Sequence, residues 1–128
     1  MPQSAGFHED ADKLKPETCD RHRAIVSIME ELEAVDWYDQ RVDATGDDEL
    51  RAILAHNRDE EKEHAAMVLE WLRRRDANFD RQLRDYLFTD KPVLEREEEL
   101  DAAEEAAPAT VADDGSLNIG SLRTTVNR

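Results

Sequence analysis

The chain has 128 residues, 32 acidic and 17 basic, for a net charge of −15: enough for one modest domain, and too acidic for a nucleic-acid binder, which needs a basic surface. No apolar run is long enough to span a bilayer, and the polar, acidic residues 1–12 offer no apolar core for a secretory signal, so they read as a flexible N-terminus. Cys19 stands alone, which excludes an internal disulfide and fits a reducing cytoplasm.

Between Glu17 and Lys91 there is no proline and one glycine, Gly46. That spacing predicts two long helices around one break. The first starts near Pro16, a residue suited to a first helical turn, and runs to about Ala44. Thr45-Gly46-Asp47 makes the turn, with Thr45 or Asp47 as N-cap. The second helix covers about Asp48 to Asp76, and so short a connection makes the two helices antiparallel neighbours. Asn78 to Phe88 predicts a shorter third helix, with Phe79, Leu83, Tyr86 and Leu87 on its apolar face, ended by Thr89-Asp90-Lys91-Pro92.

After residue 90 the composition changes. Residues 91–115 are rich in acid and alanine and bury little, so they read as an acidic flexible linker capable of a transient helix. Residues 116–128 carry a small apolar island, Ser116-Leu117-Asn118-Ile119-Gly120-Ser121-Leu122-Arg123, which reads as a docking peptide on a charged tether. The helical domain is therefore residues 13–90. Two helices and a short third bury too little surface for a comfortable monomer, so a homo-oligomer is expected.

The second helix carries the chemistry. Leu50, Leu54, Asn57, Glu61, His64, Val68 and Trp71 follow at alternating steps of four and three, the rhythm of a buried seam. A carboxylate and an imidazole stand at its centre as a Glu-x-x-His unit whose ends share one helix face. Burying an ionised carboxylate is costly unless it is compensated, and a metal ion is one compensation.

In the first helix two seams overlap through Ile28, Val35 and Val42. One adds Ile25 and Leu32, the other Ala24, Glu31 and Tyr38. Placed against the second helix, Glu31 meets Glu61 and His64. Helix-bundle di-iron sites use Glu-x-x-His from two helices and a single Glu from two others. One copy supplies half of that set, and a two-fold axis beside this face completes it. Two neighbouring irons can each give one electron to O2, which is the chemical reason for a dinuclear site.

Glu30 and Glu33 lie beside the seam with Ala34 and Trp37, a second carboxylate cluster suited to recruiting Fe²⁺ or another cation. Tyr38 is placed to hydrogen-bond a ligand carboxylate. Trp37 and Trp71 read as packing residues, and His8, His22 and His56 as surface or structural groups. Two other readings stay open on the residues alone. In one, Glu61 and His64 are a polar pair fixing helix register in a non-enzymatic scaffold. In the other, the metal is kept but the protein is a di-iron peroxidase or oxygen-binding protein.

Glu30 to Arg41, together with Ala55 to Ala65, resembles the encapsulated ferritins, bacterial ferritin-like ferroxidases carried as cargo inside encapsulin nanocompartments. The resemblance covers roughly Lys13 to Phe88 and resumes at Ser116–Arg123, which is similar to the family's encapsulin-targeting peptide ending in Gly-Ser-Leu-Arg. It implies an all-α ferritin-like fold: an antiparallel two-helix hairpin plus a short third helix, with a four-helix-bundle-type site completed by dimerisation. It also implies Glu31, Glu61 and His64 as ferroxidase ligands with Glu61 bridging two irons, and Glu30 and Glu33 as the metal-admission cluster, where calcium or zinc is the other candidate occupant. Trp37 and Tyr38 would stand in the second rank behind these groups. The implied assembly is a ring-shaped decamer, a pentamer of dimers, held by an encapsulin shell protein through the C-terminal peptide. The departure from the pattern is Thr124-Thr125-Val126-Asn127-Arg128 after the motif.

Overall fold

A computed structural model describes residues 5–106. All the regular structure among them is helical: a 3₁₀ turn at Ala11–Lys13, then α1 (Pro16–Ala44), α2 (Asp48–Arg75), α3 (Ala77–Tyr86) and α4 (Val93–Ala106). The chain falls into two compact units, one ending at Leu72 and one starting at Arg73. No helix among the described residues is long and apolar enough to cross a membrane.

In the first unit α1 opens on Pro16, whose fixed φ suits a first turn and whose missing N–H is no loss there. The helix ends where Thr45 turns extended (φ −79°, ψ 142°). Of the two expected caps, Asp47 caps α2, its Oδ1 accepting from the Leu50 amide at 2.8 Å. Thr45 instead shapes the turn, its hydroxyl accepting from the Asp47 amide at 3.1 Å. Arg51 reaches back from α2 and donates to the Val42 carbonyl at 3.3 Å and to the Thr45 carbonyl, so it satisfies acceptors that the end of α1 leaves unpaired. Gly46 has no positive φ, and a Cβ there would meet nothing within 4 Å.

Cross-helix contacts run in opposite order along the two helices. Val42 meets Arg51, Asp39 meets Arg58 and Glu31 meets His64, which makes the hairpin antiparallel, as the short turn requires. On α1 the inward stripe is Ala24, Ile28, Glu31, Val35, Tyr38 and Val42, the second of the two overlapping seams. Ala24 is buried and the others are half-buried. Ile25 and Leu32, from the alternative seam, are about half exposed at 46% and 55%.

On α2 the structure corrects the expected seam. The buried positions are Ala65 and Leu72, flanked by half-buried Leu54, Asn57, Arg58, Glu61, Val68 and Trp71. The inward stripe therefore runs one residue beyond His64 and Trp71 in the second half of the helix. Leu50 is exposed, and His64 stands at the edge of the stripe. The physical reason is that two helices meet along one narrow stripe and cannot enclose a wider one.

In the second unit α3 is capped by Asp76, whose Oδ1 accepts from the Phe79 amide at 3.0 Å. It stops at Tyr86, two residues before the expected Phe88. Leu87 is already extended and Phe88 lies in the left-handed region at φ 61°, where an L residue does not continue a helix. Asp80 accepts from Arg73 and from Arg84 Nε at 3.0 Å. Arg96 of α4 donates to the Asp85 carbonyl at 2.7 Å, and Lys91 pairs with Glu99 at 2.8 Å. Where the sequence suggests a linker with a transient helix, the described part is the 14-residue α4, which buries none of its residues. The predicted docking peptide, residues 116–128, lies outside the described residues.

Candidate metal centre

Helical spacing assembles the centre. Glu31 sits on the inward stripe of α1, and on α2 the three-residue step from Glu61 to His64 puts both on adjoining positions of one face. His64 Nδ1 lies 3.2 Å from Glu61 Oε1 and 3.6 Å from Glu31 Oε1. One ligand atom from each of the three residues lies within 4.8 Å of the others, and they are the one such metal-ligand group among the described residues.

The three groups perturb one another as a shared site should. A hydrogen bond that the Glu31 carboxyl donates to Glu61, followed by burial, pushes Glu31 above its ordinary value of 4.5. The same hydrogen bond, helped by His64, draws Glu61 down. The Glu61 hydrogen bond also raises His64 above 6.5. Two carboxyls this close hold a proton between them in the absence of a cation. A divalent ion can replace that proton and relieve the crowding of acceptors.

Two carboxylates and one imidazole suit Fe²⁺ or Zn²⁺, whereas calcium prefers an all-oxygen set. Three donors from one chain leave further coordination positions to be filled. The open side of the cluster is His64, whose side chain is 45% exposed against 26% for Glu31 and 24% for Glu61.

Glu30 and Glu33 occupy exposed positions of α1 and are not drawn into this cluster. Trp37 is 48% exposed, while Tyr38 is half-buried with the Arg41 guanidinium 5.6 Å from its ring centre. His22 packs against Phe7 with ring centres 4.7 Å apart, and His56 pairs with Glu60 at 3.2 Å on the exposed face of α2. Both belong with the surface and structural groups that the sequence suggests.

Two arginine ties between the helices are not legible in the sequence. Arg58 ties α2 to Asp39 of α1, and Arg51 ties it to the end of α1. Nothing in the order of residues pairs 39 with 58. Asp80 and Arg84, four residues apart in α3, carry a signal that ordinary helical pairing would have caught.

An antiparallel helical hairpin that sets a glutamate of one helix against a Glu-x-x-His unit of the next defines a ferritin-like protein. Residues 6–90 match the EncFtn-like family. The chain is 64% identical to the encapsulated ferritin-like protein of Rhodospirillum rubrum, over 96% of this chain and 92% of that one. It is 54% identical to a ferritin-like protein of Thermotoga maritima, over 77% and 87%. Against the encapsulin nanocompartment cargo protein EncC of Myxococcus xanthus it is 33% identical, over 96% and 99%. The crystal structure of protein ne0167 from Nitrosomonas europaea superposes with a TM-score of 0.67 at 66% identity, covering 69% of this chain and 97% of that one. The chain belongs to the encapsulated ferritin-like family.

Proposed function

We propose that this chain is a ferroxidase that oxidises Fe(II) with O2 at a centre shared between two copies, and that it works as encapsulin cargo for iron mineralisation and storage. The observation that carries the reading is the convergence of Glu31, Glu61 and His64 from two helices within 4.8 Å. Membership of the family and the names of the relatives, encapsulated ferritin-like protein and encapsulin cargo protein, support it.

In this reading Fe(II) is the substrate. Each iron would be bound by a Glu31 and a His64, and Glu61 would span the pair. A two-fold axis beside the open His64 side doubles the set to four carboxylates and two imidazoles. Each iron then gives up one electron and O2 takes both.

The apolar surface around the cluster favours such a second copy. Ala24, Ser27, Met67, Val68 and Trp71, with Asp20 and Arg23, line an open groove of about 400 Å³ within a helical turn or two of the centre. Leu50, Ile53 and Met67 on α2 are 44%, 50% and 57% exposed, an apolar area that water does not favour. Dimers of this kind would build the family's ring-shaped decamer.

Glu30 and Glu33 are assigned to admitting the metal, where calcium or zinc competes with iron, with Trp37 and Tyr38 behind them. Ser116, Leu117, Ile119, Gly120, Ser121, Leu122 and Arg123 are assigned to docking on the encapsulin shell, which places the ring inside a nanocompartment in the cytoplasm. An open ring has no cavity for mineral, and a shell provides one.

Native mass spectrometry of the full chain with and without Fe(II), under exclusion of oxygen, tests the reading. The expected result is one pair of irons for every two chains and a shift toward the larger assembly. A chain that takes up no iron at these ratios overturns it.

A further inference from the structure

The hairpin has few buried side chains with which to set its register. Ala24, Ala65 and Leu72 are the buried residues among those described, and two of the three are alanines. Small side chains interdigitate weakly, so a slide of α2 along α1 by one turn, about 5.4 Å, meets little steric resistance. Such a slide would carry Glu61 and His64 away from Glu31.

Polar ties between the helices must resist it. Arg51 acts at the turn, where chain connectivity already restrains the helices. Arg58 acts further in. Its Nη1 donates to Asp39 Oδ1 of α1 at 3.0 Å while its Nε donates to Asp59 Oδ1 of its own helix at 3.1 Å. The guanidinium is a rigid planar fork, so holding two carboxylates at once fixes its position as well as its charge. Arg58 is 22% exposed, well below Asp39 at 55% and Asp59 at 59%. Its stem lies in the inward stripe, one turn before Glu61.

We propose that Arg58 is a positioning residue for the metal centre, its fork on Asp39 and Asp59 holding the register at which Glu31 of α1 meets Glu61 and His64 of α2. This rests on the metal-centre reading given above. A half-exposed ion pair adds little to overall stability, so its effect falls on geometry.

The test uses the full chain as Asp39→Asn, Arg58→Gln and the double variant, with Glu61→Ala as a reference. Anaerobic titration with Co(II), followed by its visible spectrum, reports affinity and ligand geometry together. Either single variant is expected to weaken Co(II) binding about tenfold, the lower end of what supporting groups around a metal contribute. The double variant should be no worse than the weaker single, because both remove one interaction. Helix content by circular dichroism should be unchanged.

Register is read without metal by electron–electron spin distances between labels at Gln40→Cys and Lys62→Cys, in a Cys19→Ser background diluted with unlabelled chain. Loss of the tie should broaden or shift that distance. Wild-type Co(II) affinity and an unchanged distance in the Arg58→Gln variant would overturn the proposal, and if Glu61→Ala still loses Co(II), the metal reading survives. Should the parent chain bind no Co(II) or Fe(II), the metal reading falls and the proposal with it, even where the spin distance responds.

Discussion

Glu31 and Glu61 face each other from opposite arms of the hairpin and share a hydrogen bond that raises the pKa of the first and lowers that of the second. His64 leans on the same pair through Nδ1 and is itself raised above 6.5. The metal-free centre therefore holds protons at pH values where isolated side chains would have released them. A cation must displace these protons, which makes its affinity pH-dependent with a definite sign.

Binding should be strongest above the raised pKa of His64 and weaken as pH falls through it. A second loss should follow as Glu31 takes up its proton. Titrating Co(II) from about pH 8 down to about pH 5, the span in which histidine ordinarily changes charge, should show the decline. Isothermal titration in buffers of different ionisation enthalpy should show protons released near neutral pH. Affinity independent of pH over that span would mean that these groups are not the ligands.

Replacing Glu61 with Ala removes the carboxylate that both other groups share, and His64→Ala removes the imidazole. Both variants should lose rapid Fe(II) oxidation, followed by absorbance of the ferric product. Neither should unfold, because the three side chains are partly exposed and pairs screened by solvent add little to stability. Normal turnover with intact helix content would remove these residues from the site.

The turn allows two opposite outcomes at adjacent residues. Asp47 caps α2 by accepting from Leu50, so Asp47→Ala should cost about 1 kcal/mol. Gly46 has an ordinary backbone conformation and open space around its Cα. Gly46→Ala should therefore stabilise by about 0.5 kcal/mol through a less flexible unfolded chain. Thermal unfolding compares the two, and equal signs would contradict the assigned caps.

How far the sequence could be read depended on the kind of information each feature needs. α1, α2 and their turn are local: the absence of proline, one glycine and a cap-forming residue suffice. The convergence of Glu31 with Glu61 and His64 needed one long-range step, and a short turn between two long helices allows little choice in that step. Which of the two α1 seams faces inward was a choice that the residue pattern left open. The structure puts Ala24 and Glu31 inward and Ile25 and Leu32 outward.

The α2 seam was misread by one residue because Ala65 carries almost no hydropathic signal, yet it is the small residue that close helix contact selects. Arg58 with Asp39 was beyond reach for another reason. Among 17 basic and 32 acidic side chains nearly every arginine has several plausible partners, and only the fold chooses. α4 has an acidic composition that buries nothing and so suggests a linker. It is helical all the same, built from good helix formers and pinned near its start by Arg96 on the Asp85 carbonyl.

The docking peptide makes its own prediction. Deleting residues 116–128 should leave Fe(II) oxidation by the isolated chain intact. Co-expression with the encapsulin shell should then yield empty shells, scored by native gel and mass spectrometry. Removing only residues 124–128, which depart from the family pattern, should leave loading intact. Loss of oxidation on removing the longer segment would assign it a part in the helical domain instead.

In the second unit, Asp80 is the node on which α3 depends. Burial alone would raise its carboxyl, but hydrogen bonds from Arg73 and then Arg84 outweigh that and hold it below 3.8. A carboxyl depressed in the folded state stabilises fully above its unfolded value, and the contribution disappears as pH falls through the folded value. Amide exchange in α3 should therefore be protected at neutral pH and accelerate only in acid below 3.8. Asp80→Asn keeps the shape but removes the charge, so it should accelerate exchange in α3 at neutral pH and abolish the acid step. Asp80→Ala leaves two half-buried guanidiniums short of an acceptor and should cost about 1–3 kcal/mol. The hairpin amides around Glu31 and Glu61 should keep their protection in both variants, since α3 and the centre belong to different units. Equal acceleration in the hairpin would show that the two units unfold as one.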